Sequence, residues 1–131
     1  MASVGRLRRF NHMNHYQLNE YALNKPGTSR RYPFDPHLPV LFVGEKMFAL
    51  LGHTNDIESI NLKGDPEQNW VLREQYQGNI IPGYHMNKRH WNTVILNGTV
   101  PDEILLQLID DSYLLVLRGL PKSERELIQS L

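Results

Sequence analysis

The chain contains no cysteine, which excludes disulfides, thiolate nucleophiles and every zinc or iron–sulfur site that needs sulfur ligands. It also lacks an apolar run approaching the roughly 18 residues of a membrane helix, and the arginines between Met1 and Phe10 are not followed by the apolar stretch of a secretory leader. Membrane insertion and secretion are therefore not expected, and a cysteine-free chain suits a reducing cytoplasm. Net charge is missing too, with 14 Lys and Arg against 14 Asp and Glu, so bulk charge gives no strong pull on a polyanion. There is no internal repeat, no low-complexity tract and no glycine-rich phosphate loop.

What remains describes one globular domain. The 131 residues are 40% hydrophobic and 21% charged, enough to bury a core but too few for two comfortable domains. The charge is unevenly spread. Residues 1–34 carry six basic groups against one acid, and residues 92–131 carry three against six. Residues 1–12, with Arg6, Arg8 and Arg9, read as a flexible basic tail, and 13–131 as the folded domain.

A broken helical pattern over 13–24 stops at Lys25-Pro26-Gly27. Val40-Leu41-Phe42-Val43 and Met47-Phe48-Ala49-Leu50-Leu51 then flank Gly44-Glu45-Lys46, which predicts a hairpin apolar on both faces. Ser59 to Lys63 alternates, with Ile60 and Leu62 on one side. Asp65-Pro66-Glu67-Gln68 opens a helix over 65–77, for which Trp70, Val71 and Tyr76 are the expected buried stripe. Strands are expected over 79–85 and 91–97. After Asn97-Gly98, Thr99 and Pro101 introduce a helix whose stripe is Ile104, Leu105, Leu108, Ile109, Ser112, Leu115 and Val116. Gly119-Leu120-Pro121 ends it, and a short helical turn follows. The order helix, strands, helix, two strands, helix predicts an α+β two-layer sandwich, an antiparallel sheet of five to six strands backed by helices.

The densest polar run is Gly83-Tyr84-His85-Met86-Asn87-Lys88-Arg89-His90-Trp91-Asn92. Lys88 and Arg89 suit phosphates, Tyr84 and Trp91 offer stacking faces, and the asparagines can bond base edges. The same residues also suit a core aromatic beside an ordinary solvated turn. His85 and His90 match no ligand spacing and have no carboxylate in the run to orient them, so no metal site is expected there. His12 and His15 are expected at the surface. Asp110 and Asp111 are neighbours on a helix and point about a quarter-turn apart, so they read as a solvated face rather than a dyad. No catalytic residue and no cofactor are expected.

With these residues in view, the chain resembles the MmcQ/YjbR family from about Tyr16 to Leu120. The matching pieces are Gly44 to Leu50, Asp65-Pro66-Glu67, Pro82 to Val94, Val100 to Glu103 and Ile109 to Val116. The Lys88 to Trp91 segment followed by Ser112-Tyr113 is the most specific part. The resemblance implies a fold similar to secretion chaperones and, more loosely, frataxin-like proteins. It also implies DNA binding through a double-wing arrangement. Three functional readings follow. The first is a non-enzymatic, monomeric DNA-binding protein using Lys88, Arg89, Trp91, Asn92, His85, Tyr84, Arg30 and Arg31. The second is a protein-interaction or chaperone-like module. The third is a small-ligand site or enzyme built on His85, Lys88 and His90.

Overall fold

Asn14 starts the first helix. Its Oδ1 accepts from the N–H of Gln17 at 3.0 Å while Gln17 Oε1 accepts from the N–H of Asn14 at 3.1 Å, a capping box that satisfies two helix-end donors at once. In the computed structural model, which describes residues 12–83 and 86–131, helix α1 spans His15–Leu23 and buries Leu18, Asn19 and Ala22. Four strands follow: β1 (Thr28–Arg31), β2 (Val40–Val43), β3 (Lys46–Thr54) and β4 (Ile57–Lys63). Helix α2 spans Pro66–Gln75, then come β5 (Ile80–Pro82), β6 (Trp91–Ile95), α3 (Asp102–Arg118) and α4 (Lys122–Gln129). The six strands form one antiparallel sheet in the order β1-β2-β3-β4-β6-β5, so the expected α+β sandwich is the fold. Among the described residues, no helix is long and apolar enough to cross a membrane.

The two tight hairpins use different chemistry. Gly44, with φ +57°, supplies the left-handed residue at the β2–β3 turn, as expected. The β3–β4 turn instead places Asn55 and Asp56 at φ 51° and 65°, the double positive φ of a type I′ turn, which asparagine and aspartate tolerate better than other side chains.

Helices α1 and α3 pack on one face of the sheet. Leu41, Val43, Ala49, Leu51, Ile60, Leu62 and Val94 meet Leu18, Leu105, Ile109, Tyr113 and Val116 there. A smaller apolar cluster of Val40, Phe42, Leu50 and Trp91 lies apart from it. Strand β2 is buried along its whole length, with Leu41 and Val43 in one cluster and Val40 and Phe42 in the other.

A bulge organises the middle of the sheet. Leu41 pairs with Ala49 but Phe42 pairs with Met47, leaving Phe48 as an extra residue on β3. That extra residue lets Phe48 and Ala49 both enter the helix-side core. The β3–β4 ladder begins at Ala49 and Leu62, so Phe48 and Lys63 fall just outside it. Ser112 of α3 fills the gap, donating from Oγ to the Phe48 carbonyl at 2.6 Å and accepting the Lys63 N–H at 3.0 Å.

Two expected helix stripes are corrected. On α2, Trp70 and Val71 are exposed (62% and 52%), and Asn69 is the buried residue. Tyr76, at the end of α2, and Leu72 do pack against the core, and polar side chains on the face that carries Asn69 and Arg73 hold the rest of the helix. On α3, Ile104 and Leu115 stay partly exposed, and the stripe turns to Tyr113 and Leu117. Tyr113 donates to the Pro26 carbonyl at 2.6 Å and packs edge-on against Phe48. Burial holds its phenol above the ordinary tyrosine range.

Candidate nucleic-acid interface

Gly83 and the residues from Met86 to His90 close onto the start of β6. Gly83 donates to the Trp91 carbonyl at 2.9 Å, and a Cβ at residue 83 would meet the Trp91 Cβ at 2.9 Å and its carbonyl oxygen at 3.1 Å. Only glycine allows that approach. Asn87 turns the chain: its carbonyl accepts from His90 and Trp91, and its Oδ1 accepts from the Arg89 N–H at 3.0 Å. Tyr84 and His85 lie outside the described residues.

Helix α2 clamps this loop. Asn69 donates from Nδ2 to the Arg89 carbonyl at 3.0 Å and the Gly64 carbonyl at 3.2 Å. Arg73 donates from Nε to Asn92 Oδ1 at 2.6 Å and from Nη2 to the carbonyls of Trp91, at 3.3 Å, and Lys88. Asn92 returns a bond from Nδ2 to the Asn69 carbonyl. Burial alone lowers the Arg73 pKa, as expected where carbonyl dipoles, rather than a carboxylate, receive the guanidinium. Replacing Arg73 with methionine keeps much of the stem and removes the donors. Hydrogen bonds to a charged group contribute about 1.5–3 kcal/mol, so urea unfolding of Arg73→Met should show at least that loss. Hydrogen exchange should quicken first at the amides of His90 and Trp91. Unchanged exchange there would mean that Arg73 does not hold the loop.

The structure therefore divides the expected site residues. Trp91 is 7% exposed and Asn92 3%. Trp91 fills the smaller apolar cluster and Asn92 the clamp, so neither offers a face to a base. Lys88 and Arg89 are exposed. Arg30 and Arg31 are also exposed, but adjacent strand residues point to opposite faces. Arg31 lies over the Phe42 ring at 4.4 Å and donates from Nη1 to Glu45 Oε2 at 2.7 Å, which holds the Glu45 carboxyl below the ordinary range. The two arginines do not act as a pair.

A groove of about 880 Å³ crosses the sheet face opposite α1 and α3. Its floor is Leu50, Ser59, Asn61 and Thr93. One wall is Phe34 and Leu38 from the segment between β1 and β2, and the other is Ile81, Pro82 and Met86 beside the clamped loop. Among the described residues, no Lys, Arg, Asp or Glu lines it. Its hydroxyls and amides bond one another, Thr93 Oγ1 to Asn61 Oδ1 and Thr54 Oγ1 to Ser59 Oγ at 3.1 Å, which makes a hydrogen-bonding surface and not an activated nucleophile. Sequence reasoning missed this groove, although exposed Phe34 beside Tyr32 was a usable signal. A second cleft of about 330 Å³ lies between α2 and α3, with Leu72, Leu108 and Leu115 inside and Asp111 and Arg118 among its lining residues.

The chain belongs to the YjbR family, whose model matches residues 23–115. The chain is 36% identical over 115 residues to Escherichia coli O157:H7 protein YbdF, covering 88% of this chain and 93% of that one. It is 32% identical over 115 residues to YjbR of Escherichia coli strain K12, covering 88% and 97%. Among solved structures it is similar to the DUF419 domain protein DR2400 of Deinococcus radiodurans, with a TM-score of 0.83 and 39% identity over 90% of this chain and 89% of that one. A Pseudomonas syringae protein gives a TM-score of 0.67 at 35% identity, over 79% and 98%.

Proposed function

We propose that the protein is a non-enzymatic DNA-binding domain that takes unpaired bases into the groove and holds the neighbouring phosphates with Lys88 and Arg89. The observation that supports this reading most is a division of chemistry. Among the described residues, no Lys, Arg, Asp or Glu lines the groove, while two exposed cations, Lys88 and Arg89, follow its Pro82 wall in the chain. Bases are flat, uncharged and edged with donors and acceptors, so they suit Phe34 for stacking and the half-buried Asn61 for hydrogen bonds. Phosphates stay at the cationic loop. The walls at Phe34 and at Pro82 and Met86 are the two wings in this reading. The zero net charge predicts modest affinity that depends on few contacts.

Fluorescence anisotropy with single- and double-stranded oligonucleotides at two salt concentrations tests it. The single strand should bind more tightly, and its affinity should fall as salt rises. Lys88→Ala combined with Arg89→Ala should flatten the log–log salt slope by about 1.4, since each phosphate contact on a single strand contributes about 0.7. Phe34→Ala should weaken binding by the ~1–3 kcal/mol of one stacked base without altering the slope. No binding at low salt, or a double variant that binds like the parent, would sink the proposal.

The apolar residues Leu38, Leu50, Ile81 and Met86 in the same groove favour a second reading, a segment of a partner protein as occupant. Binding of that kind would survive high salt and ignore the loss of Lys88 and Arg89.

A further inference from the structure

We propose that His15, His53 and Glu58 form a binding site for one divalent metal ion of the zinc class, at the far end of the β3–β4 hairpin from the clamped loop. His53 and Glu58 are directly opposed across the ladder, so their side chains leave the same face of the sheet. Helix α1 lays His15 against them, its backbone N–H donating to Glu58 Oε1 at 2.8 Å. One ligand atom from each of the three residues lies within 4.8 Å of the others.

The hydrogen bonding of His15 carries the argument. Its Nε2 is 2.8 Å from the Ser59 carbonyl oxygen, and a carbonyl only accepts, so Nε2 bears the proton. A neutral ring then has its lone pair on Nδ1, and Nδ1 faces Glu58 Oε2 at 3.8 Å. Two electron-pair donors held this way repel each other unless positive charge lies between them.

A proton on Nδ1 would draw the pair to the ~2.7–2.9 Å of a charge-assisted bond. The observed 3.8 Å is nearer the ~3.4 Å between two ligands of a tetrahedral ion with bonds of about 2.0–2.1 Å. A second ring nitrogen anchored on a backbone carbonyl is also how metal-binding histidines are commonly oriented. The His53 ring stands edge-on to His15, centroids 5.3 Å apart, and is exposed, free to swing the short distance needed. Two imidazoles and one carboxylate suit zinc and its neighbours, whereas magnesium and calcium prefer all-oxygen sets. The fourth position would be left to water.

Isothermal titration calorimetry of the full chain, stripped with EDTA and titrated with zinc chloride near neutral pH, is the test. One ion should bind per chain, and magnesium and calcium chlorides should give no heat. His53→Ala and Glu58→Gln should each weaken zinc binding about tenfold or more, while His37→Ala should leave it unchanged. His53 is exposed, so its loss spares the fold, which circular dichroism verifies. In NMR spectra of the parent chain, zinc should shift the ring signals of His15 and His53. Absent heat, zinc binding equal in parent, His53→Ala and Glu58→Gln, or unmoved His15 and His53 signals would overturn the site.

Discussion

Trp91→Ala should lower unfolding stability by about 3–5 kcal/mol, the cost of truncating a large buried aromatic, and urea denaturation followed by circular dichroism should register it. Trp91 supports two structures at once. Its ring packs in the cluster with Val40, Phe42 and Leu50, joining β6 to strands on the other side of the sheet. Its carbonyl receives Gly83 and Arg73, so its backbone sets the loop that carries Lys88 and Arg89. Loss of the ring should therefore weaken oligonucleotide binding as well, although Trp91 touches no base in the proposed mode. Trp91→Phe separates the effects: it should recover most of the stability and most of the binding. If Trp91→Phe were stable but failed to bind, the indole would have a direct role that its burial argues against.

Ser112→Ala should be nearly as damaging, despite removing one oxygen atom. The hydroxyl stands in for a missing rung of the sheet, so its loss strands the buried Phe48 carbonyl and the half-buried Lys63 N–H. Each unsatisfied group costs about 1–3 kcal/mol. Thermal unfolding should show the loss. Ser112→Thr keeps the hydroxyl and should be milder. An alanine variant as stable as the parent would mean that backbone shifts close the gap.

Much of the fold was legible in the sequence because the signals were local. Gly44 marked its turn, Asp65-Pro66 marked a helix start, and the alternation around Ile60 and Leu62 marked a strand. Other features escaped for identifiable reasons. Asn55-Asp56 carries a hairpin turn without the glycine that usually announces one. Of the apolar face expected at Trp70, Val71 and Tyr76, only Tyr76 packs against the core, and Asn69 and Arg73, whose partners lie about twenty residues away, supply the polar anchors. The run Gly83 to Asn92 was visible as unusual, yet Trp91 and Asn92 beside Lys88 and Arg89 look alike in sequence whether they face a ligand or a helix. The groove and the His15, His53, Glu58 cluster draw on segments that only the sheet brings together. A buried Ser112 on an apolar stripe was the one hint that a polar side chain would bridge strands.

Strand β1 closes one edge of the sheet and β5 the other. Open edges invite a second copy of the chain to add a strand, the route to insoluble aggregates. Strand β5 is three residues long and ends in Pro82, which has no N–H to offer. Strand β1 carries Arg30 and Arg31 on its two faces, both exposed. A copy docking there would have to strip water from both guanidiniums and meet two more of its own. Whatever Arg30 does for a ligand, charge at both faces of this strand works against edge-to-edge pairing.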